Sequence, residues 1–158
     1  MDRKIKWGPL ALSIAAALAA GGIGACLGGD FSGSYGQMYK PLLSPPGWVF
    51  PVVWTILYVL MGVAAWQVWQ SEASRPRKKR ALILYGAQLA MNAFWPLLFF
   101  RLGAYLAAFV WLVLLFAAVW LCALCFRYIR PSAGKLLTPY LLWLFFAGYL
   151  NLGVYLLN

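Results

Sequence analysis

Histidine is absent from the 158 residues, and acids number only three: Asp2, Asp30 and Glu72. Without imidazole the chain lacks the usual metal ligand, haem axial ligand and neutral-pH proton shuttle. All three acids fall outside the apolar runs described below. No carboxylate pair is therefore placed for acid–base work inside a membrane, and no mid-membrane ionisable group of the kind ion-coupled transporters keep. Cysteine is scarce as well. Cys122 and Cys125 form a C-x-x-C with no third or fourth ligand nearby, which reads as small buried thiols rather than a metal site. The inventory predicts no metal and no cofactor.

Charge of any kind is rare, at 10% of residues, against 65% hydrophobic and a mean hydropathy of +0.79. A soluble domain of this length cannot cover so much apolar surface, so the bilayer is its solvent and membrane lipids are its first partners. Five apolar runs cover residues 8–28, 48–70, 81–100, 104–126 and 136–157. Each is about 20 residues long, enough for a helix to cross ~30 Å of hydrocarbon. The expected fold is all-α, one domain over residues 1–158, an integral membrane bundle of five transmembrane helices. Between the runs lie a long first loop (29–47), a basic loop (71–80), a tight turn near Arg101 and Gly103, and a basic turn (127–135). No internal repeat or low-complexity tract appears.

The cations are distributed unevenly. Arg3, Lys4, Lys6, Arg75, Arg77, Lys78, Lys79, Arg80, Arg127, Arg130 and Lys135 fall on one side, and Lys40 and Arg101 on the other. The positive-inside rule predicts a cytoplasmic N-terminus, with the first loop and the C-terminus outside. The net charge of +10 is thus a topology signal, and no nucleic-acid partner is expected. The first run imitates a secretory signal but exceeds a normal signal core in length. Its small residues recur every fourth position, Ala20–Gly24–Gly28 and Ala17–Gly21–Ala25. Such ridges let another helix approach closely, within the protomer or in a homodimer.

At ~100° per residue, Tyr85, Gln88, Asn92, Trp95 and Phe99 share an arc of about 80° on the third run. Trp54, Tyr58, Met61, Ala65 and Trp69 form a similar stripe on the second run. Tyr140, Trp143, Ala147 and Asn151 do so on the fifth. Amides in a membrane need partners, so Gln88, Asn92 and Asn151 should face inward. Counting depth at ~1.5 Å per residue gives three layers: Trp54, Trp95 and Asn151 outermost, Tyr58, Asn92 and Ala147 next, Met61, Gln88 and Trp143 deepest. The pattern fits a column for a flat apolar ligand and equally fits helix packing. Trp7, Trp48 and Trp69 sit near run ends, as in an interfacial aromatic belt.

Three stretches carry a further signal: KPLLSPPGWVFPVVWTILYVLMGVAAWQVW, YGAQLAMNAFWPLLFF and PYLLWLFFAGYLNLGVYLLN. With the signature P-P-x-x-V-F-P-x-x-W-T-x-L-Y, the sequence resembles the translocator protein / tryptophan-rich sensory protein (TspO/MBR) family. These are five-helix membrane proteins that bind porphyrins and, in some members, sterols. The resemblance implies a membrane receptor, sensor or carrier for tetrapyrroles, with the first loop as a lid over the pocket. Pro45 and Pro46 then stiffen the entry to the second helix, and Pro51 stands in its first turn, where a missing N–H costs little.

By the same resemblance Tyr35, Trp54, Tyr58, Gln88, Asn92, Trp95, Trp143, Ala147, Leu150 and Asn151 line the ligand site. The alternative it implies is an enzyme for light-dependent porphyrin degradation, with Trp54 and Trp143 as its catalytic residues. It also implies a dimer. Two departures stand out. Leu43 occupies the tryptophan position of the usual K-P-x-W-x-P-P, which removes one aromatic contact of the lid. No Lys or Arg follows Tyr155, so the proposed cholesterol motif is not expected and a bacterial cell membrane is the better setting.

Overall fold

The computed structural model describes residues 7–158, and those residues contain helices and no strand. Helix α1 spans Trp7–Gly28, α2 Phe31–Gln37, α3 Val49–Trp69, α4 Arg75–Pro96, α5 Tyr105–Ile129, α6 Pro131–Leu136 and α7 Thr138–Leu157. A π-helical segment, Leu97–Arg101, continues α4. Five stretches are long and apolar enough to cross a membrane: α1, α3, α4 with its π segment, α5, and α6 with α7. The cations Arg3, Lys4 and Lys6 lie outside the described residues.

Local chemistry sets the boundaries. Gly29, at a φ of +77°, ends α1, and Asp30 caps α2 by accepting a 3.0 Å hydrogen bond from the Gly33 N–H. The long first loop therefore contains a helix. At the opposite end the basic segment is not a loop: Arg75–Arg80 forms the first turns of α4. Pro76 starts it without loss, because first-turn N–H groups have no intrahelical acceptor. Lys78 folds back and donates to the carbonyls of Trp69 and Ser71, both at 3.2 Å, covering the C-terminal end of α3. The segment expected as a basic turn is also mostly helical, shared between the end of α5 and α6.

The helices follow one another around a ring: α1 packs on α3 and α4, α4 on α5, α5 on α7, and α6 closes onto α3. Arg75–Arg80, Arg127, Arg130 and Lys135 cluster at one end, here the basic end; α2 covers the other, the lid end. The small-residue ridge of α1 works within the chain. A Cβ on Gly24 would lie 3.1 Å from Ala93 Cα, and one on Gly28 2.9 Å from Pro96 Cβ. That ridge is occupied by α4 and is not available to a second copy. Cys122 is buried against the core, whereas Cys125 and Cys26 are exposed, so the expectation of buried thiols holds only for Cys122. Cys125, three residues on from Cys122, lies past the edge of the contact of α5 with the core and faces outward.

Candidate functional site

Toward the lid end the ring of helices encloses a cavity of about 420 Å³. Its walls are Trp54 and Tyr58 from α3, Asn92 and Trp95 from α4, Leu112 and Leu115 from α5, and Trp143 and Ala147 from α7. Six residues named from sequence thus meet around one space: Trp54, Tyr58, Asn92, Trp95, Trp143 and Ala147. Rings dominate the surface. Trp54 packs on Tyr58 at 5.6 Å, Tyr140 at 6.0 Å and Trp143 at 6.4 Å between centroids, the last two edge to face.

The polar groups of the walls are largely engaged with one another. The Tyr58 hydroxyl donates to Asn92 Oδ1 at 2.5 Å, and Asn92 Nδ2 donates to the Tyr140 hydroxyl at 2.6 Å. Trp95 Nε1 donates to Asn151 Oδ1 at 3.2 Å, and Asn151 Nδ2 to the Tyr105 carbonyl at 2.8 Å. These pairs cross from α3 to α4 to α7 and hold the rings at fixed positions. Trp143 Nε1 is shielded and has no acceptor among the described residues. The chamber is therefore an apolar, ring-lined space with rigid walls.

Four expected residues stand behind or above the walls. Gln88 is buried, 1% exposed, with Nε2 3.9 Å from Met61 Sδ, and it supports α3 from below the cavity. Asn151 and Leu150 are buried outside it, Asn151 as the partner of Trp95. Tyr35 lies on the lid, stacked on Phe31 at 5.5 Å and edge-on to Phe50 at 5.2 Å. Its hydroxyl donates to the Pro45 carbonyl at 2.6 Å. Partial burial raises the Tyr35 phenol above its ordinary pKa, opposed by a hydrogen bond with Ser44, so the donor stays protonated at neutral pH.

The counted depths need one correction. Trp143 was placed level with Met61 and Gln88, but its ring meets Trp54 and, at 5.9 Å, Phe50 near the start of α3. The fifth span begins at Pro131 rather than Leu136, because α6 is its first turn. Asn151 keeps its counted level beside Trp95, so α7 as a whole is not displaced; it is the Trp143 ring that reaches toward the start of α3. The depth count did put Tyr58 with Asn92, Trp95 with Asn151, and Met61 with Gln88 in common layers, and in the structure these residues meet.

Sequence reasoning missed the aromatic roof and the glycine wall. Phe31, Phe50 and Phe100 close the top, with Phe31 5.6 Å from Phe50 and 5.0 Å from Phe100. Gly21 of α1 faces the Tyr58 ring so closely that a Cβ there would overlap it. The signal was present in the spacing of small residues on α1. It read as helix contact alone, although a glycine face opposite bulky rings also leaves space.

The lid is fastened to α7. Tyr149 donates its hydroxyl to the Leu42 carbonyl at 2.7 Å, and the Asn158 side chain pairs with the Tyr39 backbone, accepting at 3.1 Å and donating at 2.9 Å. Lys40 donates to the Tyr35 carbonyl at 2.8 Å and lies 4.4 Å above the Tyr35 ring. Leu43, the position that departs from the family pattern, has a φ of +69° and is exposed.

Residues 13–156 match the model of the TspO/MBR family. The chain is 37% identical over 146 residues to the tryptophan-rich protein TspO of Chlorobaculum tepidum, covering 86% of this chain and 92% of that one. It is 42% identical over 127 residues to the tryptophan-rich sensory protein of Cereibacter sphaeroides, covering 78% and 76%. With the translocator protein of Ovis aries it shares 38% identity over 120 residues, covering 74% and 70%.

Proposed function

The chain belongs to the TspO/MBR family, and from that premise we propose that it is a membrane receptor or sensor that holds a tetrapyrrole such as protoporphyrin in the chamber under α2. One observation carries the reading: Trp54, Trp95, Trp143 and Tyr58 converge on a single cavity of about 420 Å³. That size falls in the ~300–1,000 Å³ range of small-molecule sites, and ring faces are what a flat, mostly apolar macrocycle stacks on.

Titration of the purified protein with protoporphyrin in darkness tests this directly. Saturable binding that weakens in Trp143→Phe supports the receptor reading; no saturable binding rejects it. Because the chain has no histidine, metal-free porphyrin should bind at least as well as haem. A haem preference with a spectrum of axial protein ligation would contradict the stacking mode.

A second reading, light-dependent degradation of protoporphyrin by oxygen, is favoured by the contact of Trp54 with Trp143 at 6.4 Å. Adjacent indoles could relay an electron from one to the other. Pigment loss that requires light, oxygen and both tryptophans would establish it over simple binding.

The protein is an integral membrane protein. The proposed orientation places the basic end in the cytoplasm of a bacterial cell and the lid outside. A single cysteine at Gly33 should then react with an impermeant thiol reagent in intact cells; reaction at Arg77 instead would invert the topology. A homodimer, also proposed, must use a face other than the Gly24–Gly28 ridge.

A further inference from the structure

We infer that ligand reaches the chamber sideways, from the hydrocarbon of the leaflet at the lid end, through a gap between α1 and α3. The inference rests on the proposed function only for the choice of porphyrin as one of two probes.

The gap follows from where α1 finds its neighbours. In the basic half α1 is locked to α3: Ser13 Oγ donates to the Gly62 carbonyl at 2.8 Å, and a Cβ on Gly62 would lie 2.6 Å from Ile14 Cα. Toward the lid end the close contacts change partner. Gly24 and Gly28 of α1 rest on Ala93 and Pro96 of α4. Helix α1 thus leaves α3 just above the place where the Tyr58 ring meets Gly21, and it leans on α4 from there.

Exposed residues mark both edges of the resulting gap. Leu18, Gly22 and Ala25 on α1 and Pro51 and Thr55 on α3 all line the cavity while also being exposed at the protein surface. A Cβ added at Gly22 would meet nothing within 4 Å. The cavity is therefore continuous from the bundle's lipid-facing side to the buried Tyr58, Asn92 and Ala147.

The chemistry of the edge identifies what passes. It carries no charge, and its one hydroxyl, Thr55 Oγ1, is turned back onto the Pro51 carbonyl at 2.7 Å. Nothing there holds water or a polar headgroup, whereas an acyl chain or a membrane-dissolved ring system meets only apolar surface. The route through the lid is obstructed. It is roofed by Phe31, Tyr35, Phe50 and Phe100 and tied to α7 through Tyr149 and Asn158. A ligand that partitions into the bilayer thus needs no unlatching of the lid.

Two arms test the portal, with the full-length protein in phosphatidylcholine vesicles. In the first, association and dissociation of protoporphyrin are timed. Gly22→Trp, and independently Thr55→Phe from the opposite edge, should slow both rates about tenfold while Kd stays within about threefold, because a plug raises a barrier common to entry and exit. Tyr149→Phe, which loosens the lid, should leave both rates unchanged. Unaltered rates in both plugged variants, a weaker Kd at an unaltered association rate, or faster entry in Tyr149→Phe would overturn the portal. In the second arm an uncharged aryl diazirine dissolved in the bilayer is photolysed and its adducts are mapped by mass spectrometry. Adducts on Ala147 or Trp54 that vanish in Gly22→Trp, while those on lipid-facing Leu142 and Phe145 persist, are the expected result. Wild-type protein labelled at Leu142 and Phe145 but not within the chamber would overturn the portal, even if porphyrin binds. Chamber labelling would support it even if porphyrin proves to be the wrong ligand.

Discussion

The two halves of this bundle are built from the same apolar alphabet and pack differently. In the basic half Val68, Ala81, Cys122, Phe126, Ala133 and Leu137 are at most 2% exposed. Glycines bring backbones together there, Gly62 against Ile14 and Gly134 against Arg127. In the lid half the helices surround about 420 Å³ of open space. Hydrophobicity does not separate the halves. In lipid an apolar residue gains little by facing another helix instead of an acyl chain, so helices close only where shapes interlock. Small residues opposite medium-sized ones interlock at the basic end. The Tyr58 and Trp95 rings are fixed by cross-helix hydrogen bonds, and Tyr58 already rests on Gly21 of α1, so these rings cannot close the space left beside that contact.

The most severe test of this contrast is a pair of glycine substitutions. Gly62→Val places a branched side chain where even a Cβ would lie 2.6 Å from Ile14 Cα. It should cost about 3 kcal/mol or prevent folding, at or beyond the top of the usual overpacking range. Gly22→Val, in open space, should change stability by less than about 1 kcal/mol. Thermal unfolding in one detergent checks both, and equal losses would mean the halves are packed alike.

Next in size is the polar frame of the chamber. Asn92→Leu strips partners from the Tyr58 and Tyr140 hydroxyls at once and should destabilise by about 1–2 kcal/mol, in keeping with hydrogen bonds inside membranes. Tyr58→Phe removes one link and should cost less, on the order of 0.6 kcal/mol. If Asn92→Leu is neutral by thermal unfolding, the walls are held by packing alone.

A smaller effect is expected at the rings themselves. Trp143→Phe and Trp54→Phe each keep an aromatic face, so folding should survive while porphyrin affinity falls by ~0.5–1.5 kcal/mol, up to roughly tenfold. The double variant should depart from additivity, since the two rings touch. Lower stability with unchanged affinity on the folded fraction would make both rings packing residues and not ligand contacts.

The smallest effect concerns the lid. Leu43 holds a φ of +69°, a left-handed conformation that costs an L-residue ~1–2 kcal/mol and glycine little. Glycine also gives back some unfolded-chain entropy, so Leu43→Gly should gain about 0.5–1 kcal/mol in thermal unfolding. A loss would show that the exposed leucine side chain itself is a contact the lid requires.

Much of the chamber was legible because amides and tryptophans are conspicuous in an apolar sequence. Asn92 and Trp95 share a face of α4, amides in lipid need partners, and Asn151 lies at matching depth on α7; these facts put Trp95 and Asn151 in one layer, and the structure joins them by a hydrogen bond. Gln88 was legible as buried but not as lying below the cavity, since facing inward and touching a ligand look the same in a helical period. Tyr35 could be assigned to a lid only through the family pattern, because nothing local announces that its hydroxyl will reach the Pro45 carbonyl.

By itself the sequence determined the solvent, the five crossings, the family and the faces that carry polar and aromatic groups. The solvent, the crossings and the faces follow from composition or from a period along one helix, and the family from the resemblance of its motif. The tilt of α1 from α3 onto α4, the gap this leaves, the early start of the fifth span and the reach of Trp143 to Phe50 were decided by tertiary structure. The reason is physical. In water a helix advertises its buried side by an apolar stripe, but in a bilayer both sides are apolar, and α1 is apolar all round. Which neighbour such a helix leans on depends on how its glycines meet Ile14, Ala93 and Pro96, and that fit exists only once the helices are assembled.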